Sequence, residues 1–156
     1  MLELPHTLVG AAIATAIPDP RISLPLALLS HFVTDYIPHW NPHLNTELKT
    51  QGKISIRSKV IVMADAGLAL MVGTYIAATS GNFIVVILAC FLAVAPDVAE
   101  IPYYFLGLKN VSWIRKLIDY QRAHQWQVSP FVGILSQLAI ILTSLVIIFS
   151  KSVANF

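Results

Sequence analysis

The sequence predicts an all-α polytopic membrane protein, a bundle of about five apolar helices. Of its 156 residues, 56% are hydrophobic and only 12% are charged, whereas about 25% are charged in a soluble domain. The mean hydropathy is +0.72 for 17.1 kDa, and a globule of that size cannot bury so large an apolar excess. The absence of repeats and low-complexity tracts predicts a single integral-membrane domain over residues 1–156.

Five apolar stretches define the expected helices. They cover residues 4–17, 22–38, 60–79, 83–108 and 131–149. A bilayer core of about 30 Å requires about 20 helical residues. The last three stretches are therefore long enough to cross, the second lies at the lower limit, and the first is short.

The first two stretches are predicted to form a short hairpin. It turns at Pro18-Asp19-Pro20-Arg21, where two prolines end one helix and begin the next. The alternative is a tilted or half-inserted helix over residues 4–17. A secretory signal is not expected, because Glu3 stands where a basic segment would precede the apolar run and His6 lies inside it.

Charge asymmetry predicts the orientation in the membrane. Eight of the ten Lys and Arg residues lie in two connections, residues 40–59 and 107–130, whereas the turns at 18–21 and 80–82 are short and nearly uncharged. Basic loops face the cytoplasm, so we expect both connections on the cytoplasmic side of a prokaryotic inner membrane. Trp40, Trp113 and Trp126 fall near the same face, as interfacial anchors do.

Ionisable residues gather at one predicted face. Such groups cost at least about 2.5 kcal/mol near the bilayer centre, and those that occur usually face an interior cavity. The expected topology places one set at or just beneath the cytoplasmic face: His6, His31, Asp35, His39, Asp65, Asp97, Glu100 and His124. Asp19 alone lies at the opposite face.

His31 and Asp35 carry the most specific local signal. They lie one helical turn apart on one face, and His39 continues that face if the helix persists through Pro38. Imidazole and carboxylate ligands without a thiolate favour zinc, then manganese or iron. A core histidine satisfied by hydrogen bonds is the alternative. The single cysteine, Cys90, excludes an intrachain disulfide and a thiolate cluster.

The other candidates have weaker signals and open alternatives. The predicted metal ligands are His6, His31, Asp35, His39, Asp97 and His124, and the predicted catalytic acids or bases are Asp65, Asp97 and His124. Asp65 has no polar neighbour in its own segment and needs a partner from another. Asp97 is alternatively the companion of a kink at Pro96. Glu100 is a candidate for orienting a ligand.

Two further observations limit the chemistry. His43 and Glu47 form a second His-x-x-x-Glu pair in the loop after Pro42, for which solvated loop residues are the default interpretation. The sequence has no phosphate-binding glycine loop, and its basic loops lack the interleaved aromatics of a nucleic-acid surface. The expected partners are therefore the lipid bilayer and a lipid or amphiphilic substrate, not nucleic acid.

The segment His31-Phe32-Val33-Thr34-Asp35, followed by Pro38 and His39, resembles the metal-binding helix motif of the zinc-dependent phospholipase C and single-strand nuclease superfamily. The whole layout is similar to the YdjM-like group of predicted membrane-bound metal-dependent hydrolases. In that group an N-terminal His near a Gly, a His-x-x-x-Asp helix, a Pro-Asp pair and a later His recur. In this sequence these features correspond to His6 near Gly10, to His31 and Asp35, to Pro96-Asp97, and to His124. The resemblance covers most of the chain, and its specific part runs from His31 to His39.

The resemblance implies roles for individual residues. His31 and Asp35 would be metal ligands, Asp35 able to bridge two ions, and His39 a further ligand. His43 and Glu47 are the only candidates for the His-x-x-x-Glu pair that continues the phospholipase pattern. One or two metal ions are expected.

Together these observations predict a membrane-bound, divalent-metal-dependent hydrolase at the inner membrane interface. The substrate would be an ester, in the first place a phosphoester of a lipid or other amphiphile. A metal-ion or proton transporter is one alternative, which requires ionisable groups in both halves of the bilayer. A non-catalytic membrane interaction protein is the other.

Overall fold

The computed structural model describes residues 1–154, which form eight helices and no strand. The helices are α1 (Glu3–Ala16), α2 (Pro20–Asp35), α3 (Leu44–Gln51), α4 (Ile56–Thr79), α5 (Phe83–Val98), α6 (Ile101–Phe105), α7 (Ser112–His124) and α8 (Pro130–Ala154). The all-α prediction is confirmed. The five expected apolar helices correspond to α1, α2, α4, α5 and α8.

The lengths of these helices differ from the expectation of five spans. In the described part of the chain, α4 and α8 are long and apolar enough to cross a membrane, and α5 is apolar but has only 16 residues. The stretch 83–108 divides because Pro96 lies in the last turn of α5 and Pro102 at the start of α6. Proline lacks the N–H and obstructs the preceding turn. A bundle of five spans is thus not confirmed.

The expected hairpin of the first two helices is confirmed. Helices α1 and α2 pack against each other and are joined by Ile17, Pro18 and Asp19. The Asp19 carboxylate accepts a hydrogen bond of 3.0 Å from the backbone N–H of Arg21, which satisfies a donor that has no intrahelical partner. Pro20 occupies the first helical position, where its fixed φ favours helix initiation.

Helix α1 lies at the centre of the bundle, in contact with α2, α4, α5 and α8. Its buried residues include Gly10, Ala11, Ala12 and Ala14, and small residues allow neighbouring helices to approach closely. The approach is tightest at Gly10, where an added Cβ would lie 2.5 Å from the Ala89 carbonyl oxygen of α5. The central position of α1 brings His6 into the interior, where it is fully buried.

Asp65 of α4 fixes the beginning of α1. Its carboxylate accepts hydrogen bonds from the backbone N–H groups of Glu3 and Leu4, the second at 3.4 Å. These donors have no intrahelical partner, and a negative charge is favourable at a helix N-terminus. The partner that Asp65 needed from another segment is therefore the first turn of α1, which carries His6.

Helix α8 supports the segment that follows α2. An added Cβ on Gly133 would lie 2.3 Å from the backbone nitrogen of Trp40. The Gln137 side chain donates to the Trp40 carbonyl oxygen at 3.0 Å and accepts from the Leu2 N–H at 2.9 Å. Gln137 thus connects the start of α1 to the segment that contains His39.

Candidate metal centre

Three buried side chains from the first two helices form a compact group. His6 comes from α1, and His31 and Asp35 come from α2. One ligand atom of each lies within 4.8 Å of the others. Among the described residues, this is the one set of three His, Cys, Asp or Glu side chains that meets this distance. These three residues could hold a metal ion.

Thr34 fixes the orientation of the His6 ring. The Nδ1 atom of His6 lies 2.9 Å from Thr34 Oγ1, and the hydroxyl also lies 2.8 Å from the Ser30 carbonyl oxygen and 3.0 Å from that of His31. A hydroxyl has a single proton, and the Thr34 hydroxyl donates it to one of these carbonyl oxygens. The Thr34 oxygen therefore accepts a hydrogen bond from His6, whose proton lies on Nδ1. The Nε2 atom of His6 then presents its lone pair, 3.4 Å from Asp35 Oδ1.

A backbone carbonyl fixes His31 in the same way. The Nδ1 atom lies 2.8 Å from the Ala93 carbonyl oxygen of α5, and because a carbonyl only accepts, Nδ1 carries the proton. The Nε2 atom lies 3.8 Å from Asp35 Oδ2 and 3.6 Å from Asp97 Oδ1. Asp97 therefore adjoins the group, although it is not one of the three residues whose ligand atoms all lie within 4.8 Å of one another.

His39 reaches the group without the helical continuation that the sequence required. Helix α2 ends at Asp35, but the His39 backbone pairs with Trp126 and Val128 through two hydrogen bonds of 3.0 Å. Its Nδ1 donates to the Ile37 carbonyl oxygen at 2.8 Å, and its Nε2 lies 3.8 Å from Asp35 Oδ1. This buried Nε2 has no hydrogen-bond partner among the described residues.

All three imidazoles share one arrangement, with Nδ1 hydrogen-bonded to an oxygen and Nε2 3.4 to 3.8 Å from an Asp35 carboxylate oxygen. The Nε2 atom of His31 lies closer still to Gln121 Oε1, at 3.3 Å, and to Asp97 Oδ1, at 3.6 Å. Histidine ligands of metals almost always donate their other ring N–H in this way. Zinc ligands at about 2.0–2.1 Å in tetrahedral geometry lie about 3.3–3.4 Å apart, close to the observed 3.4 Å between His6 Nε2 and Asp35 Oδ1. Burial lowers the pKa of His39 to about 4, which keeps its imidazole in the neutral, metal-binding form.

Asp35 also has polar partners outside the histidines. The Met1 amino group contacts Asp35 Oδ1 and lies 3.3 Å from His6 Nε2. The Gln125 side chain donates to Asp35 Oδ2 at 3.1 Å. The position beside Asp35 therefore favours a positive charge.

Gln121 lies between His31 and Glu100. Its Oε1 atom is 3.3 Å from His31 Nε2, a contact that is a hydrogen bond only when this nitrogen carries a proton, and its Nε2 donates to Glu100 Oε1 at 2.9 Å. Gln121 is buried on α7. Glu100, the candidate for orienting a ligand, thus reaches His31 through Gln121 and not directly.

Glu100 gives the protein a specific pH dependence. Burial, with a further contribution from Asp97, raises the pKa of Glu100 from 4.5 to about 9. Between these pH values the folded state keeps a proton that the unfolded state releases, so stability falls as the pH rises. We expect Glu100→Gln, a neutral mimic of the protonated acid, to flatten this decline in thermal unfolding measured from pH 5 to 9. Parallel curves for the two proteins would contradict this assignment.

The remaining candidates lie apart from the three histidines. The His124 Nδ1 is 2.7 Å from the Tyr120 carbonyl oxygen, and its ring packs against Tyr36 at 5.8 Å between centroids. The structure thus does not place His124 among the atoms that surround Asp35. In the second His-x-x-x-Glu pair, Glu47 accepts from the Ser55 N–H and the Ser58 hydroxyl at 2.8 and 2.6 Å, and His43 is exposed. Glu47 therefore holds the start of α4.

A cavity of about 820 Å³ adjoins the centre. Its polar end is lined by Glu3, Asp65, Asp97, Glu100, Gln121 and Gln125. His6, His31 and Asp35 lie behind this wall, in contact with Met1, Asp97 and Gln125, which line it. A ligand in the cavity is therefore separated from the three buried side chains by one layer of residues.

Sequence reasoning did not identify Thr34, Gln121, Gln125 or Glu3 as parts of this site. Thr34 had a detectable signal, because it lies three residues after His31 on the same helix, where its hydroxyl can face the same side. Gln121 and Gln125 had no sequence signal that pointed to a site, since neutral amides near a helix end are common on solvated surfaces. Glu3 had no signal for a site, since it stands alone before the first apolar stretch.

Removal of the Thr34 hydroxyl tests the orientation of His6. We expect Thr34→Val to weaken zinc binding roughly 10–100-fold, the usual cost of losing a partner that orients a ligand. Competition with a zinc-binding dye provides the measurement. Thr15→Val is the matched control, because Thr15 is half-buried on α1 and donates only to the Ala11 carbonyl oxygen. Equal zinc affinity in both variants would contradict the orienting role.

Comparisons with known proteins yield no relative: no family model, no curated protein and no solved structure matches the chain. The resemblance of the segment from His31 to His39 to zinc-dependent phospholipases thus stays a prediction. The functional argument rests on the geometry around Asp35.

Proposed function

We propose that this protein is a membrane-bound, divalent-metal-dependent hydrolase that cleaves an ester, in the first place a phosphoester of a lipid or other amphiphile. The proposal rests chiefly on three imidazole Nε2 atoms that lie 3.4 to 3.8 Å from Asp35 carboxylate oxygens, each ring with its Nδ1 hydrogen-bonded to an oxygen. Ligands of this kind, without thiolate, favour zinc. Manganese and iron are the next candidates.

The chemistry of the proposed centre follows from its ligands. A bound zinc ion would lower the pKa of water to about 7 and polarise a phosphoryl oxygen. His6, His31 and Asp35 would hold the ion, and His39 would be a fourth ligand. Asp97, 3.6 Å from His31 Nε2 and in the cavity wall, is placed to accept a proton from a water that attacks the ester.

Asp65 and His124 take lesser roles in this proposal. Asp65 lines the cavity, but both of its carboxylate oxygens accept hydrogen bonds from the first turn of α1. Its role is to position α1 and His6. His124 has no contact with the three ligands, so we assign it no catalytic step.

The exposed surface supports a location in a membrane. Most of the apolar residues of α4 and α8 are exposed, unlike those of a core helix in a soluble protein. Large exposed apolar side chains on these helices include Met63, Leu70, Met71, Phe131, Leu142 and Val146. An apolar surface of this extent is typical of contact with lipid. By the distribution of basic residues, we propose that the metal centre lies on the cytoplasmic side.

The test combines metal analysis with an activity assay. Detergent-purified wild-type protein is expected to contain zinc near stoichiometric amounts and to hydrolyse a phosphodiester such as bis(4-nitrophenyl) phosphate. The double variant with His31→Ala and Asp35→Ala is expected to lose both. His43→Ala, an exposed histidine that lines the cavity but lies outside the group, is the control for metal binding and should retain zinc. If wild type carries no more zinc, manganese or iron than the double variant, the hydrolase proposal is wrong.

Transport is distinguished by a separate measurement. A relay across the membrane needs ionisable groups in both halves of the bilayer, and Asp19, at the opposite end of the α1–α2 hairpin, is paired with Arg21 at 2.7 Å. Uptake of zinc into proteoliposomes without any ester cleavage would favour a carrier over a hydrolase.

A further inference from the structure

The cavity beside the metal centre continues between α4 and α5. Its walls include residues 62–73 of α4 and 87–98 of α5, and Thr7 of α1 lies at its floor. With a rise of about 1.5 Å per residue, each wall is about 16 Å long. We name this part of the cavity the α4–α5 groove.

The chemistry of the groove changes along its length. One end holds the carboxylates Asp65 and Asp97, and Asp97 Oδ1 lies 3.6 Å from His31 Nε2 of the metal centre. Away from that end, the lining residues are apolar and include Ala69, Leu70, Gly73, Ile87, Cys90 and Phe91. A polar end joined to an apolar channel matches an amphiphile with its polar group at the carboxylates.

The groove is accessible from the apolar surface of the protein. Met63, Leu70 and Phe91 line it and are 69%, 69% and 54% exposed. They belong to α4 and α5, and α4 is long and apolar enough to cross a membrane. A hydrocarbon chain from a surrounding bilayer can therefore enter from the side, without passing through water.

We propose that the α4–α5 groove binds one hydrocarbon chain of an amphiphile whose phosphate group lies at the Asp97 end of the cavity, one layer of residues from His6, His31 and Asp35. This inference rests on the proposed function and locates the hydrocarbon chain of its substrate. The cavity, at about 820 Å³, falls within the range of about 300–1,000 Å³ typical of small-molecule sites. The groove is the part of this cavity that lies between the two helical walls and the floor at Thr7.

Photolabelling tests the inference in protein reconstituted into lipid nanodiscs with zinc. The probe is dodecylphosphonate with a diazirine at the far end of its chain. We expect mass spectrometry to locate the label on groove residues of α4 and α5, in excess over the exposed face of α8. Excess unlabelled dodecylphosphonate should suppress this labelling, whereas an alkyl diazirine of equal length without the phosphonate should label all exposed helices alike.

Two alanines of α4 provide a matched pair of variants. Ala66 is half-buried and lines the groove, whereas Ala64 is exposed and does not. Ala66→Phe should reduce groove labelling about sixteenfold, since excluding two methylenes costs roughly fourfold for each. Ala64→Phe should leave the labelling unchanged. Thermal unfolding of both variants verifies that they fold.

The outcomes separate this inference from the proposed function. Label spread evenly over α4, α5 and α8, or label that unlabelled dodecylphosphonate does not suppress in wild type, would overturn the groove assignment. Both of these outcomes are measured on wild-type protein alone, so they test the groove even if Ala66→Phe does not fold. Groove labelling in a protein that neither binds zinc nor cleaves esters would retain the binding site and reject the hydrolase.

Discussion

Asp35→Asn is expected to abolish stoichiometric zinc binding and to lower hydrolase activity more than about a hundredfold. Loss of a residue that only hydrogen-bonds to a metal ligand costs about 10–100-fold, so loss of a ligand itself should cost more. The carboxylate is the common neighbour of His6, His31 and His39, at 3.4 to 3.8 Å. An amide of the same size has no negative charge to offset a divalent cation. Metal content by mass spectrometry and turnover of a phosphodiester provide the measurements.

The control for Asp35→Asn is Asp19→Asn. Asp19 is also an aspartate of the α1–α2 hairpin, but it pairs with Arg21 at the opposite end and is not part of the metal group. Zinc content and turnover should match those of wild type. A protein with Asn at position 35 that still binds one zinc per chain would refute the role of Asp35 as a ligand.

Gly10→Ala is expected to destabilise the fold by about 1–3 kcal/mol, the usual cost of overpacking a filled interior. The added Cβ would lie 2.5 Å from the Ala89 carbonyl oxygen and 2.9 Å from Ala93 Cβ. Because the nearest atom is backbone, relief requires α1 and α5 to separate. Ala93 also holds His31 Nδ1 through its carbonyl oxygen, so zinc affinity should fall together with stability.

Gly67→Ala on α4 is the matched control. No atom lies within 4 Å of the added Cβ, and alanine is favoured over glycine in a helix by about 1 kcal/mol. Thermal unfolding should therefore show a neutral or stabilising effect. Equal destabilisation by both substitutions would mean that helix α1 is not packed tightly at Gly10.

Much of the fold and part of the site follow from sequence periodicity. The apolar stretches identify five of the helices, and the four-residue spacing of His31 and Asp35 places both on one helical face. The expected hairpin brings His6 toward them. These predictions depend on local spacing or on a single short turn.

The rest depends on contacts that local spacing does not encode. The break between α5 and α6 separates Asp97 from the last part of an apolar stretch that the sequence presents as continuous. His39 reaches Asp35 through backbone pairing with residues 126–128, about ninety positions away along the chain. Asp65 caps α1 across more than sixty residues. Tertiary contacts of this kind decide which side chains surround the centre.

The central claim is that His6, His31 and Asp35 together bind one divalent cation. Anomalous diffraction at the zinc edge, from crystals grown with zinc chloride, tests it most directly. We expect one strong peak about 2.0–2.2 Å from His6 Nε2, His31 Nε2 and an Asp35 carboxylate oxygen, the usual zinc–ligand distances. A map without a peak there, or with zinc bound only at His43 and Glu47, would contradict the account.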